Sequence, residues 1–339
     1  MLKRLTSLDE VDAIIREAAA LGDEPKRVAM LLEYYYDAGI SPDLDPFSAE
    51  YLNEIKILHE NISGFKNYSP ATNELTPYMR DDRIDYIRNA PPFGTGSSAT
   101  VGDFLISIGF IMRTLDLKPG QSVIEYGPGS GHLAVTFARD GFDVTAVDIE
   151  PIYLDVIAGQ CKALGIPITT FCGEFGGIPD PDKRYDAVLF FEAFHHALHH
   201  NDLLRRLGEI VKEDGVIAMA GEPIIEAGNY WEPAIPFAWG PRCDLLSVSA
   251  MRNYGWMELG FRESYFFEAM KRSGWSVTKH ECSLTARGNT YIARRSTNAE
   301  LTLAEIAAPD LGTAQDDIVA PAVTGAKASL WRRLLNRAG

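Results

Sequence analysis

The sequence predicts an α/β fold: a mainly parallel sheet with helices on both faces, preceded by a helical N-terminal region. Three observations predict it. From about residue 100, short apolar runs alternate with helical stretches, and parallel strands need such crossover helices. The first of these strands runs into a glycine-rich turn, "VIEYGPGSGHL". The final pair of strands, joined through "TARGN", reads as an antiparallel addition.

The elements follow in order. Ser7 with Glu10 three residues on forms a capping box, and Leu8, Val11, Ile14 and Ile15 continue at helical spacing. "PKRVAMLLEYYYDAG" reads as a second helix closed by Gly39. "DPFSAEYLNEIKILHENISG" reads as a third, with Asp45 as cap, Pro46 at the first helical position and Gly64 at the end. Residues 65–99 carry loop punctuation. "TVGDFLISIGFIMRTLDL" is an apolar helix stopped by Lys118-Pro119-Gly120. Strands "SVIEYG", "DVTAVD", "ITTFCG", "YDAVLFFE" and "GVIAMAGE" then alternate with helices "GHLAVTFARDG", "IYLDVIAGQCKALG" and "NDLLRRLGEIVKEDG". The helix "RESYFFEAMKRSG" and the strands "SVTKHECSL" and "NTYIARR" complete the unit. Three regions result: a helical cap over 1–99, the α/β domain over 100–295 with an insertion at 225–262, and a tail from 296 to 339.

The chain has 339 residues, 46% hydrophobic and 23% charged, enough for a sizeable core. Its net charge of −15 argues against a nucleic-acid partner, since phosphate binding needs a basic surface. Cys161, Cys172, Cys243 and Cys282 lack zinc-knuckle or CxxC spacing and read as buried free thiols. No signal peptide and no membrane-spanning stretch is read, so the expected location is cytoplasmic.

The glycine-rich turn carries the strongest chemical signal. Gly127, Gly129 and Gly131 let the backbone turn sharply and approach a ligand, and the helix that follows offers free N–H groups. Nicotinamide- and flavin-binding domains use such a turn too. Their fingerprint wants a small residue where this chain has His132. The acidic Glu125 would repel a pyrophosphate and hold a cationic ligand.

This stretch resembles motif I of the class I S-adenosylmethionine-dependent methyltransferases, an acidic residue followed by GxGxG. "VTAVDIEP", "FCGEFGGIP", "RYDAVLFFEAFHHALHH" and "IVKEDGVIAMAGEP" resemble the later motifs in order, over roughly residues 100–295. The resemblance implies a Rossmann-like, doubly wound sheet of seven strands, the last antiparallel, and S-adenosyl-L-methionine as cofactor. It assigns cofactor contacts to Glu125, Tyr126, Gly127, Pro128, Gly129 and Gly131. Asp148 would take the ribose hydroxyls with Ile149 against the adenine. Glu174 would accept from the adenine amino group, with Gly173, Phe175 and Phe191 beside it.

Residues 190–200 read "FFEAFHHALHH", four histidines in six positions. In an open α/β sheet, ligands bind at the carboxyl ends of the strands. Glu192, His195 and His196 are therefore the catalytic candidates, with a histidine as base near neutral pH, and His132 is a third imidazole in range. A metal would need three or four converging ligands, and none is assigned. His199 and His200 read as solvent-facing, with Asn201 capping the next helix.

The insertion holds Tyr230, Trp231, Phe237, Trp239, Tyr254 and Trp256 with Glu222, Glu226, Glu232, Arg242 and Arg252 nearby. Two readings stand. Tyr230, Trp231, Trp239 and Arg252 contact the acceptor, or the aromatics pack the lid itself or a dimer contact. Tyr68, Tyr78 and Arg83 are looser candidates from the N-terminal side. The basic tail "SLWRRLLNRAG" is either a frayed terminus or a weak membrane or partner contact. The expected activity is methyl transfer to a small-molecule or glycan-type acceptor at oxygen. Carbon or nitrogen methylation, a nicotinamide-dependent oxidoreductase and a non-catalytic cofactor-binding module are the alternatives. "EAFH" differs from the "[DNS]PP[YF]" of N-methylating DNA enzymes.

Overall fold

The computed structural model describes residues 1–22, 24–41, 43–75, 85–93 and 97–296. Tyr78, Arg83 and the amphipathic tail lie outside the described residues. The N-terminal region begins with β1 (Lys3–Leu5), α1 (Leu8–Ala19), α2 (Glu24–Leu31), β2 (Tyr34–Tyr36) and α3 (Ala49–Ser63). The Ser7–Glu10 capping box is formed. The second helix does not run on to Gly39. It stops at Leu31, and three consecutive tyrosines, good strand formers, pair in parallel with Lys3–Leu5. The cap of α3 is Ser48, which accepts from Tyr51 N–H; Asp45 instead accepts from Phe47 N–H in the preceding turn. Gly64 closes that helix in the left-handed region, at φ +80°. Two single turns, α4 (Pro70–Asn73) and α5 (Tyr86–Asn89), precede α6 (Ser98–Leu115).

The central sheet is built from β3 (Ser122–Tyr126), α7 (His132–Arg139), β4 (Asp143–Asp148), α8 (Pro151–Leu164), β5 (Thr169–Cys172), β6 (Tyr185–Phe191), α9 (His200–Ile210) and β7 (Val211–Ala220). An insertion then carries β8 (Ile224–Ile225), β9 (Trp239–Pro241), α10 (Leu245–Tyr254) and β10 (Leu259–Arg262). α11 (Glu263–Arg272), β11 (Trp275–His280) and β12 (Thr290–Arg295) complete the fold. Seven strands lie in the order β11-β12-β7-β6-β3-β4-β5. β12 runs antiparallel to both its neighbours, and β3 to β7 are parallel. This is the Rossmann-like doubly wound arrangement.

Alternation along β6 shows how the sheet is sandwiched. Val188 and Phe190 join one core, with α9 and α11; Ala187, Leu189 and Phe191 join the other, with α6, α7 and α8. A third core ties Val11, Val28, Leu31 and Ile62 of the N-terminal region to Leu245, Val248 and Met251 of the insertion. The N-terminal region and the insertion are therefore packed together.

Three expectations need correction. α6 is long and apolar enough, by length and composition, to cross a membrane. Here its Ile108, Ile111 and Leu115 are buried against the sheet, while Leu105 is exposed. Cys172 is exposed; the other three cysteines are buried, and all four are free. α9 ends at Ile210 because the β-branched Val211 already pairs with Tyr185, and it starts at His200 rather than after an Asn201 cap. The Asn201 amide donates to Tyr265 Oη instead.

The strand order turns back on itself at β3, which pairs with β4 on one side and β6 on the other. A crevice opens at such a switch point, outside the carboxyl ends of the strands.

Candidate active site

A cavity of about 390 Å³ fills that crevice. Its near wall is the turn after β3. Gly127 and Gly131 sit at φ +64° and +78°, where side chains are strained. A Cβ at Gly127 would lie 2.8 Å from Ala193 Cβ, and one at Gly131 would lie 2.3 Å from Ile157 Cγ1. The first glycine lets two strand ends meet, and the second lets α7 pack on α8.

Two buried carboxylates face the cavity from adjacent strand ends. Glu125 Oε2 has no hydrogen-bond partner among the described residues, and burial, with Asp148 nearby, pushes its pKa up to about 8. Asp148 accepts from Glu150 N–H at 2.9 Å and Gly129 N–H at 3.3 Å. Burial lifts it to about 7 against those bonds. Pro128, Gly129, Ile149, Gly173, Glu174, Phe175 and Phe191 line the same space. Gly173 N–H donates to Asp148 O, which fixes the β5 end beside the β4 end.

Two expected contacts are placed elsewhere. Tyr126 points to the opposite face of the sheet, stacks on Phe190 with centroids 5.4 Å apart, and donates to Gly177 O at 3.0 Å. Gly131 packs against Ile157 and does not line the cavity.

Residues 123–215, from this strand to the start of β7, match the family model described as a methyltransferase domain. The chain carries a class I S-adenosylmethionine-dependent methyltransferase domain. It is similar to a ubiquinone biosynthesis O-methyltransferase of Azorhizobium caulinodans, at 29% identity over 35% of this chain and 48% of that protein. It is also similar to a demethylmenaquinone methyltransferase of Tropheryma whipplei, at 29% identity over 30% and 42%. The chain thus spans about half the length of the curated relatives it matches. Among solved structures, the YcgJ protein of Bacillus subtilis aligns over 52% of this chain and 70% of that one, at 16% identity and a TM-score of 0.44.

The methyltransferase domain's own atoms fit the cofactor of its class. The orphaned Glu125 oxygen suits an ammonium group, and Asp148 suits a vicinal diol, which brings two O–H donors to a carboxylate. The glycine turn leaves no side chain in the way.

The far wall of the cavity is a histidine–carboxylate cluster. β6 ends at Phe191, and Glu192 takes a left-handed φ of +56°, which throws the chain back across the sheet. His195 and His196 follow on a short 3₁₀ turn, with ring centroids 4.4 Å apart. His195 Nδ1 lies 2.8 Å from Glu222 Oε2. Glu222 also accepts the N–H groups of Ala193, Phe194 and His195, so one carboxylate both caps the turn and orients the ring. His195 Nε2 lies 3.8 Å from Glu258 Oε2, and His196 Nδ1 lies 3.2 Å from Glu74 Oε2. Glu74 Oε1 accepts from Tyr68 Oη and Met257 N–H. Burial opposes charge on His196, but Glu74, Glu258 and Glu222 outweigh it and lift its pKa to about 9. Burial and the charged neighbour His196 push His195 well down.

Of the other histidines, His200 alone departs from expectation. His199 lines the cavity mouth and is exposed. His200 is buried, with Nε2 2.7 Å from Tyr265 Oη, so it is not solvent-facing. His132 bonds Pro91 O through Nε2 at the cavity edge.

None of the four expected lid contacts lines the cavity. Trp239 is buried between Tyr51, His200 and Tyr265, with its indole N–H on Pro46 O. Arg252 bonds Ile62 O and Asp12, binding α10 to the N-terminal helices. Tyr230 and Trp231 pack edge to face on each other. Of the insertion's aromatics, Trp256 reaches the cavity, beside His196. Sequence reasoning missed Glu74, Glu258 and Arg287. Arg287 is buried in the loop before β12, 3.4 Å from Glu192 and over the Phe104 ring. No motif marks any of the three.

Proposed function

We propose that the protein transfers a methyl group from S-adenosylmethionine to a hydroxyl of a small-molecule acceptor. One observation carries this reading. A single cavity joins the Glu125–Asp148 wall to the His195–His196 cluster, so donor and acceptor positions share one space. Its volume suits a small molecule rather than a polymer chain.

When bound, the cofactor supplies an electrophilic methyl group, which passes in line to the acceptor oxygen. The protein's work is to position and to manage a proton. Glu125 and Asp148 hold the cationic and diol ends. Phe191, Phe104 and Trp256 bound the space and limit water. The acceptor hydroxyl rests against the histidine cluster, where Glu222 and Glu74 stabilise the positive charge that appears as the proton leaves the oxygen.

The names of the relatives support a small aromatic or quinone-like acceptor, and the aromatic cavity wall is compatible with one. The test is incubation with S-adenosylmethionine and a panel of phenols, catechols and sugars, read by mass spectrometry. An O-methylated product with equimolar S-adenosylhomocysteine supports the reading. Products methylated only at carbon or nitrogen contradict it.

A further inference from the structure

We infer that His195, His196 and Glu258 bind a divalent transition-metal ion at the acceptor end of the cavity. One donor atom from each of the three lies within 4.8 Å of the others. Two imidazoles and a carboxylate suit zinc, cobalt, nickel or ferrous iron. Three protein ligands with a position left open is the arrangement of a catalytic metal site.

Glu258 is the residue that turns two histidines into a site. It is fully buried just before β10. Its Oε2 lies 3.2 Å from Arg242 Nη2, while its Oε1 has no hydrogen-bond partner among the described residues. The 3.8 Å between His195 Nε2 and Glu258 Oε2 is too long for a hydrogen bond. It is within the span of two ligands on one ion, which reaches about 4.2 Å when each bond is about 2.1 Å.

The surroundings add a second argument. Metal-binding histidines pass their other ring nitrogen to a carboxylate, which fixes the tautomer and turns the ligand nitrogen to the ion. His195 has Glu222 at Nδ1, which leaves Nε2 on the Glu258 side. His196 has Glu74 beside its Nδ1. The charges point the same way. Glu74, Glu222 and Glu258 enclose the two rings, and the guanidinium nearest Glu258, Arg242, is shared with Asp244 at 3.7 Å. A divalent cation balances that excess of buried carboxylate.

This deepens the proposed function and rests on its placing of the acceptor at the cluster. A hydroxyl bound at the open position gives up its proton to water more readily, and its oxygen then takes the methyl group.

The test uses the untagged full chain, stripped with EDTA, desalted and titrated with cobalt(II) by visible absorption and with zinc(II) by calorimetry. The expected result is saturable uptake of about one ion per chain, with ligand-field bands from nitrogen coordination. Glu258→Gln and His196→Ala should weaken uptake at least tenfold, and Glu222→Gln about 10- to 100-fold through His195. His280→Ala, on β11, should bind as the unaltered chain does. Absence of saturable uptake, or unchanged uptake by the isosteric Glu258→Gln, overturns the inference. So does full hydroxyl methylation by the stripped enzyme in EDTA, a result that leaves the proposed function standing. Metal uptake at these residues without methylation of any hydroxyl has the opposite meaning: the site stands and the proposed function falls.

Discussion

The Nδ1 atom of His195 lies 2.8 Å from Oε2 of Glu222, and the same carboxylate accepts three successive backbone N–H groups, those of Ala193, Phe194 and His195. One side chain from the end of β7 thus shapes the turn after β6 and sets the ring on it. Glu222→Gln keeps the shape but replaces an acceptor of four bonds with an amide. Methyl transfer should fall about 100-fold, while S-adenosylhomocysteine binding changes less than about twofold. Steady-state kinetics and calorimetry on one preparation separate the two. Equal losses in both would assign Glu222 a general structural role.

Cofactor binding should depend on pH through Glu125 and Asp148. Burial raises both pKa values in the free chain, to about 8 and about 7. An ammonium group and a diol favour the carboxylate forms, so binding must release any proton held there. Affinity should therefore weaken as pH falls through 8 and then through 7, by up to about tenfold per unit for each group. Calorimetry at pH 6.5, 7.5 and 8.5 measures the slope. Glu125→Gln should bind more weakly and lose the upper part of the slope; a flat profile for the unaltered chain would contradict this origin.

His200 should make the fold acid-labile. Burial lowers its pKa to about 3, against an ordinary value of 6.5. The unfolded chain takes up this proton below 6.5 and the folded chain does not. Stability from the neutral ring is thus intact above 6.5 and is lost as pH falls from there toward 3, at up to about 1.4 kcal/mol per unit. Urea unfolding at pH 7 and pH 5 should show a smaller difference for His200→Gln than for the unaltered chain. An identical difference would show that other groups set the acid limit.

Trp239 and Trp256 should behave oppositely. Trp239 is buried with its indole N–H bonded, so Trp239→Ala should cost about 3–5 kcal/mol of stability. At temperatures where it is folded, its KM for acceptor should be unchanged. Trp256 faces the cavity, so Trp256→Ala should raise KM for acceptor at smaller cost in stability. A shift of KM with Trp239 would return that residue to substrate recognition.

The sheet was legible because burial on both faces writes continuous apolar runs, as in "YDAVLFF", and crossover helices write a different period. The glycine turn was legible because left-handed backbone and close packing admit little else, as Gly127 and Gly131 show. The insertion was not. Trp239 and Trp256 are the same residue in the same segment, and only the fold decides that one packs on Tyr51 and the other faces His196. The cluster was half legible. The histidines announce themselves, but Glu74, Glu222 and Glu258 come from three separate segments. His200 shows the converse: it reads from the sequence as solvent-facing, and the turn before it sends it into the core.

The most direct test of the account is calorimetric titration of the full chain with S-adenosylhomocysteine and, in a parallel cell, with NADH. The account predicts saturable binding of S-adenosylhomocysteine, lost in Asp148→Ala, and none of NADH. Saturable binding of NADH alone would contradict it.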